Sequence, residues 1–250
     1  MLTRSKIQSI RELHTRKARD AAGVFLAETP KTVGEFLAAD NVDAVELFAV
    51  PEWLEDGHAD LSQKDELLIT PCSSRDLERI STLSTPNRVL GVFRKPVFDR
   101  APAGQAFAQH TLLLDTLQDP GNLGTIIRCA DWFGIRTVVA SPGTVDAFNP
   151  KVVQSTMGSL ARVQVIVRDL TTVLAEHPDV PVYAAALDGS PLREVEVPQR
   201  SFILIGNEAH GLSGDLLDAA SHRITITGSG QAESLNAAIA TAIILHHFTT

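Results

Sequence analysis

Residues Leu112 to Gly134, LLLDTLQDPGNLGTIIRCADWFG, hold the transition on which the fold turns. Leu112 to Leu114 are continuously apolar, as in a strand covered on both faces, and Asp119-Pro120-Gly121-Asn122 supplies turn residues. From Thr125 the apolar spacing becomes that of a helix. This reading puts Asn122 in the turn and Arg128 one turn into the helix. A buried strand feeding a polar loop and then a helix is the unit from which α/β enzymes build their sites, at the carboxyl ends of the strands. Two later segments have the same design: FILIGNEAHGL (Phe202 to Leu212) and ITGSGQAESLNAAIATAI (Ile226 to Ile243). Three such loops can meet at one edge of one sheet.

Working outward, strand-like runs at Leu112 to Asp115, Thr137 to Ala140, Val163 to Val167, Val182 to Ala186, Phe202 to Ile205 and Arg223 to Ile226 alternate with helical stretches. That alternation describes a doubly wound α/β domain with a mostly parallel sheet. Toward the N-terminus a helix is expected over residues 4 to 22, with Ile7, Ile10, Leu13 and Ala18 as its apolar stripe. Short β-like runs follow at Val24 to Ala27, Val45 to Val50, residues 67 to 69, and Val89 to Phe93, with helices near Lys31 to Ala39 and Arg75 to Ser81. This is a second, smaller α/β unit. The segment KPVFDRAPAGQAFAQ, residues 95 to 109, mixes Pro, Gly and Ala without periodicity and reads as a linker. The expected organisation is therefore a unit over 1–95, a linker over 96–109 and a unit over 110–250.

A length of 250 residues and a 44% hydrophobic fraction suit a globular chain with a real core. The first twenty residues lack the apolar run of a signal peptide, and no segment has the length of a membrane span, so a cytoplasmic protein without membrane partners is expected. Cys72 and Cys129 are the only cysteines and belong to no metal-ligand spacing, so neither a disulfide framework nor a metal site is suggested. The net charge of −8 hides an asymmetry. Arg4, Lys6, Arg11, Arg16, Lys17 and Arg19 precede residue 20, opposed there only by Glu12, while acids such as Glu52, Glu55, Asp56, Asp60, Asp65 and Glu66 gather later. A basic end fits a polyanion partner, and equally a solvated helix face.

The three loop segments, in this order, resemble the SpoU/TrmH group of RNA 2'-O-ribose methyltransferases of the SPOUT class. Asn122, Gly124 and Arg128 match the first motif; Gly206, Asn207, Glu208 and Gly211 the second; Glu233, Ser234, Leu235 and Asn236 the third. Ile226-Thr227-Gly228 departs from a pattern that usually holds a Pro there, and Ala237 stands where Val is common. The resemblance implies a C-terminal domain whose mostly parallel sheet is tied in a trefoil knot, and an N-terminal ribosomal-protein-like domain that binds the RNA substrate. It implies S-adenosyl-L-methionine as cofactor, held by main-chain groups around Gly206, Ile226 and Leu235. It further implies RNA, more often ribosomal than transfer RNA, as partner, with no DNA, and a homodimer in which the last helix, expected over Ser234 to Phe248, buries an apolar face.

By the same resemblance Arg128 activates the ribose hydroxyl, and Asn122, Glu208, Ser234 and Asn236 complete the catalytic set. Because a guanidinium keeps its proton in ordinary settings, a literal base role is costly, and Arg128 is better suited to grip the adjacent RNA phosphate and orient the hydroxyl, with the phosphate or a transiently neutral Arg taking the proton. Each residue alone also has a plainer reading: an ion pair with Asp131 for Arg128, turn or helix capping for Asn122 and Ser234, a strand-end turn for Gly206, and core packing for Ile226 and Leu235. His210 is left outside the catalytic set. Two other classes compete: a non-catalytic RNA-binding protein on the same fold, and a Rossmann-type nucleotide enzyme. The latter is disfavoured because no G-x-G-x-x-G follows the first strand of either unit.

Overall fold

A computed structural model describes residues 1–56, 67–98 and 107–250. The chain divides into two compact units: Met1–Phe98 with Phe148–Ala161, and Asp99–Ala147 with Arg162–Thr250. Residues 99–106 of the expected linker, and Asp60, Asp65 and Glu66 among the acidic residues, lie outside the described residues. The excursion of 148–161 into the first unit is not foreshadowed by the local pattern.

In the first unit the order is α1 (Arg4–Glu12), α2 (Arg16–Ala22), β1 (Val24–Glu28), α3 (Pro30–Leu37), β2 (Ala44–Ala49), α4 (Pro51–Glu55), β3 (Leu68–Pro71), α5 (Ser74–Ile80) and β4 (Val89–Arg94). The strands form a mixed sheet in the order β1-β4-β2-β3, with only β2 and β3 parallel. The single helix expected over 4–22 is two helices. Thr15 caps α2 by accepting from the Ala18 backbone N–H, so the chain turns after Glu12. Buried Arg19 then takes an inner position on α2, its guanidinium donating to the carbonyls of Leu13 and His14 at 3.0 and 2.8 Å. Phe25, Phe36 and Phe93 fill the core with ring centroids 4.8 to 5.6 Å apart, and Phe148 joins them at 5.2 Å from Phe25. Fully burying such a ring contributes about 1.5–3 kcal/mol, of which half-buried Phe148 gains a part. That contribution explains why the segment carrying Phe148 and α7 (Pro150–Thr156) stays in this unit.

The second unit contains β5 (Thr111–Leu114), α6 (Pro120–Trp132), β6 (Thr137–Ala140), β7 (Gln164–Val167), α8 (Leu170–Glu176), β8 (Val182–Pro191), β9 (Phe202–Ile205), α9 (Gly214–Asp218), β10 (His222–Thr225) and α10 (Ala237–Thr249). Its six strands run in the order β10-β8-β9-β5-β6-β7, and every neighbouring pair is parallel. All four residues of β5 and of β9 are buried, as the apolar runs Leu112–Leu114 and Phe202–Ile205 require, and Thr111 is buried with them. From β5 the chain winds outward through β6 and β7, then returns to the other side of β5 to lay down β8, β9 and β10. The carboxyl ends of β5 and β9 therefore meet where the winding reverses, the place at which open α/β sheets form a crevice.

Candidate active site

The first loop is built differently from its sequence reading. Asp119 caps α6 by accepting from the Asn122 backbone N–H at 2.8 Å, and Pro120 occupies the first helical position. A proline there has the right φ and forfeits only an N–H that has no partner within the helix. The helix thus begins five residues before Thr125. Asn122 lies within its first turn, and Arg128, expected one turn in, is its ninth residue and lies in the third turn.

Polar contacts join the three loops. Asn122 donates from Nδ2 to Glu208 Oε1 at 3.0 Å, and its Oδ1 accepts from Asn236 Nδ2 at 2.8 Å. One amide side chain therefore ties the loop after β5 to the loop after β9 and to the segment before α10. Asn236 is itself fixed as the N-cap of α10, its Oδ1 accepting from the Ala238 and Ile239 backbones. The last helix consequently runs from Ala237, not Ser234, and the capping role open to Ser234 belongs to Asn236.

The second loop is braced from below. Asn207 donates from Nδ2 to the Thr116 carbonyl at 2.8 Å while its Oδ1 accepts from the Ala209 and His210 backbones. Asn207 and Gly211 exchange a pair of backbone hydrogen bonds, each 2.9 Å, closing a tight hairpin. Gly206, the first residue after β9, lies against that hairpin, and a Cβ on it would stand 2.6 Å from the Gly211 carbonyl oxygen and closer still to the Gly211 carbonyl carbon and the Leu212 nitrogen. Only glycine lets the two backbones approach this closely. Buried Asp115 accepts from the Ser213 backbone at 3.0 Å, and Thr116, at φ 51°, is held by Ser141 Oγ at 2.8 Å from its N–H. Asp115 and Thr116 are supports absent from the sequence-derived site, and Asn207, matched in the second motif, holds no catalytic or cofactor role there. The only signal for the first two was polar residues directly after a buried strand.

Of the expected site residues, Asn122, Glu208 and Asn236 are thus brought into direct contact, and Leu235 and Ser234 immediately precede Asn236. Ile226 directly follows β10 and is half-buried, whereas Leu235 remains 47% exposed. Arg128 is exposed and, among the described residues, engages no carboxylate. The ion pair considered for it with Asp131 does not form, because Asp131 binds Arg162 at 2.9 Å. Neighbouring Cys129 is half-buried; burial pushes its thiol up from the ordinary range, and the charge on Arg128 pulls it back only in part, so it stays a neutral packing group. No cluster that could hold a metal ion is found among the described residues. A separate cleft of about 700 Å³ opens beside β10, lined by Tyr183, Asp188, Glu194, Glu196, His222 and Arg223. None of the three loops' candidate residues lines it, and its carboxylates would repel a phosphate.

A wholly parallel doubly wound sheet with a cradle of amides and main-chain groups at its point of reversal is the architecture of an α/β enzyme. The chain belongs to the SpoU rRNA methylase family, which it matches over residues 109–246. Residues 4–91 match the MRM3-like substrate binding domain. The chain is 33% identical to the 23S rRNA (guanosine(2553)-2'-O)-methyltransferase RlmP of Bacillus subtilis (strain 168), an alignment covering 97% of this chain and 95% of that protein. It is 29% identical to the 23S rRNA (uridine(2479)-2'-O)-methyltransferase of Streptomyces viridochromogenes over 94% of this chain and 85% of the other. Among solved structures, a TrmH-family protein from Porphyromonas gingivalis superposes with a TM-score of 0.86 at 38% identity, covering 99% of this chain and 98% of that one. An AdoMet-bound rRNA methyltransferase from Sinorhizobium meliloti superposes with a TM-score of 0.81 at 28% identity, over 99% and 95% of the two chains.

Proposed function

We propose that this chain transfers a methyl group from S-adenosyl-L-methionine to a ribose 2'-hydroxyl of ribosomal RNA. The observation that carries the reading is the Glu208–Asn122–Asn236 connection, which gathers three separate loops at the meeting of β5 and β9. The residues fit the cofactor. Gly206 lets the end of β9 pack directly against the 207–211 hairpin, where any side chain would collide with the Gly211 and Leu212 backbone, and so fixes the course of the loop assigned to the cofactor. Half-buried Ile226 and exposed Leu235 are assigned the apolar contacts to the adenine. The cofactor supplies an electrophilic methyl on a sulfonium. What the chain supplies is position and charge: two reactants held in line lose little entropy at the transition state, and effective molarities from such placement reach about 10⁵–10⁸ M.

Arg128 is the proposed catalytic cation. Lacking a carboxylate partner, its guanidinium has charge and donors to spare for an RNA phosphate, and a fork of N–H groups fixes the adjacent ribose in orientation. Asn122, Glu208 and Asn236 hold the loops in register, and Ser234 is assigned to the polar lining for ribose.

The 1–98 unit is assigned to RNA binding, and the catalytic unit to a C-terminal trefoil knot, which accords with the segment 226–236 running from edge strand β10 back to Asn122 on α6. A homodimer is part of the proposal, and two adjacent helices support it. The Asn122–Asn236 bond joins the starts of α6 and α10, and Phe133 faces His246 near their ends at 6.2 Å, so the helices run side by side and parallel. They leave Trp132 84%, Ile239 54% and Ile243 39% exposed, apolar area that a two-fold partner would cover. No helix among the described residues is long and apolar enough to cross a membrane, and the cytoplasm, where ribosomes are assembled, is the compartment assigned.

Isothermal titration of the full chain with S-adenosyl-L-methionine, followed by mapping of 2'-O-methyl positions in 23S rRNA from cells with and without the gene, tests the reading. Heat of binding and one lost modification are expected. A chain giving no heat, with an unchanged methylation map, would be a pure RNA binder. Arg128→Ala should retain cofactor binding and lose almost all methyl transfer; unchanged turnover would remove Arg128 from the mechanism.

A further inference from the structure

The basic N-terminal run is sorted by the fold into cations that serve the protein and cations left over. Lys6 is bound to Glu46 at 2.9 Å, Arg16 faces Asp20 at 3.4 Å, and Arg19 is buried on backbone carbonyls. Arg4, Arg11 and Lys17 are exposed and, among the described residues, have no carboxylate partner. In the second unit the balance is the reverse: Arg162, Arg168, Arg193, Arg200 and Arg223 all sit within ion-pair distance of an Asp or Glu.

Arg4 and Arg11 share one surface with cations of α5. Asp76 near the start of α5 accepts from the Leu2 backbone just before α1, and His14 after α1 donates from Nε2 to the Ile80 carbonyl at the end of α5, at 2.9 Å. Helices α1 and α5 are therefore pinned side by side and parallel at both ends. Their buried residues are Ile7, Ile10, Leu77, Ile80 and Asp76. Outward they present Arg4, Gln8 and Arg11, spaced by four and three residues along one face of α1, together with Arg75 and Arg79 on α5, one turn apart. The acids facing these groups are few. Glu12 accepts from Gln8, Glu78 is exposed, Asp76 is buried with Arg79 4.0 Å away, and Asp20 on α2 is taken up by Lys95 and Arg16. Exposed Ser5, Ser9 and Ser74 add hydroxyl donors.

We propose that the paired outer faces of α1 and α5, with Arg4, Arg11 and Arg75 at their centre and Lys17 at their margin, form a docking surface for the phosphate backbone of structured RNA. The inference rests on the RNA-methyltransferase reading and extends it to the surface that holds the substrate away from the reacting sugar. A row of cations on rigid helices with amide and hydroxyl donors between them suits phosphates, which position a nucleic acid without reading its sequence. On a protein of net charge −8, such a local concentration is what overcomes repulsion of a polyanion.

The test is binding of fluorescently labelled 23S rRNA to the full chain at 50 and 200 mM salt, alongside a cofactor titration of the same preparations. The variant is Arg4→Gln/Arg11→Gln/Arg75→Gln; the control, Arg168→Gln/Arg193→Gln/Arg200→Gln, removes equal charge from the other unit. Loss of three phosphate contacts lowers the log–log salt slope by about 2–3, so between the two salts wild-type affinity should fall ~40-fold more than the variant's. The control should follow wild type. Equal affinity and slope in wild type and variant, an equal loss in variant and control, or no rRNA binding by wild type at 50 mM salt would each overturn the surface. Failure of all three proteins to bind the cofactor would instead sink the enzymatic reading and leave the salt slopes to judge the surface. Circular dichroism checks that these exposed substitutions leave the fold intact.

Discussion

Asn122→Asp changes one atom's chemistry at the centre of the site and keeps its shape. The amide that donates to Glu208 at 3.0 Å becomes a carboxylate facing a carboxylate at that distance. Two unit charges 3.0 Å apart repel by about 1.4 kcal/mol in bulk water and about 5.5 kcal/mol at an effective dielectric of 20. Glu208 is exposed, so the lower part of that range applies. The new charge also gains about 0.3–1 kcal/mol from its place in the first turn of α6, and the bond from Asn236 survives because Oδ1 remains an acceptor. Repulsion and the lost hydrogen bond still exceed the dipole gain. The 206–212 loop should move away from α6, weakening cofactor affinity and slowing methyl transfer by roughly 10-fold, the equivalent of about 1.4 kcal/mol. The decisive arm is Asn122→Asp/Glu208→Gln, in which the new amide at 208 donates to the new carboxylate at 122 and the contact is restored in reverse. Titration calorimetry and single-turnover methyl transfer on the four proteins of the cycle give the coupling between the two positions. If the double variant binds the cofactor no better than Asn122→Asp alone, this hydrogen bond does not hold the loops together, and the argument for a single pocket loses its main support.

Gly206→Ala should disrupt the second loop outright, since the added methyl meets backbone that cannot step aside; cofactor binding measured by calorimetry should be lost while Arg128→Ala, by contrast, retains it. Ile239→Glu/Ile243→Glu places charge on exposed apolar positions of α10 and should shift a dimer to monomer in sedimentation equilibrium without unfolding the chain; an unchanged mass would place any dimer contact elsewhere. His110, half-buried and 2.9 Å from Ser201 Oγ, has its pKa lowered below 6.5 by burial. Folding therefore favours the neutral ring. Its contribution is complete above pH 6.5 and is lost as pH falls through the depressed value, where the unfolded chain binds the proton more readily. Urea melts between pH 7.5 and 5 should show that decline, and His110→Gln should flatten it.

Much of this protein is legible from local pattern. The apolar runs Leu112–Leu114 and Phe202–Ile205 foretell strands covered on both faces, because burial on two sides disfavours polar positions; Thr111 is the one polar residue of β5 and it too is buried. The three Gly- and Asn-bearing loops mark where those strands end, and the resemblance to the SpoU/TrmH motifs singles out Asn122, Gly206, Glu208 and Asn236 within them. Local chemistry misled where two physical readings share the same residues. Asp119-Pro120-Gly121-Asn122 satisfies a turn and the capped start of a helix equally well, and only the Asp119 side chain bonded to the Asn122 backbone distinguishes them. Thr15 likewise breaks the first helix by a capping bond that the stripe of Ile7, Ile10 and Leu13 does not reveal.

The choice of partners was decided in three dimensions. Nothing near Arg128 in the chain says that Asp131 will turn to Arg162, leaving the guanidinium free, and nothing near Lys6 announces Glu46, forty residues away. Nor does the segment from Phe148 carry a mark that its ring belongs with Phe25 rather than with the strands beside it in sequence. Propensity, capping and alternation act over a few residues and are written into the sequence where they act. Charge pairing and ring packing depend on which distant side chains the completed fold brings within about 3 to 6 Å, so the sequence alone established the elements and the candidate loops, and tertiary structure determined which charges and amides remained available for chemistry.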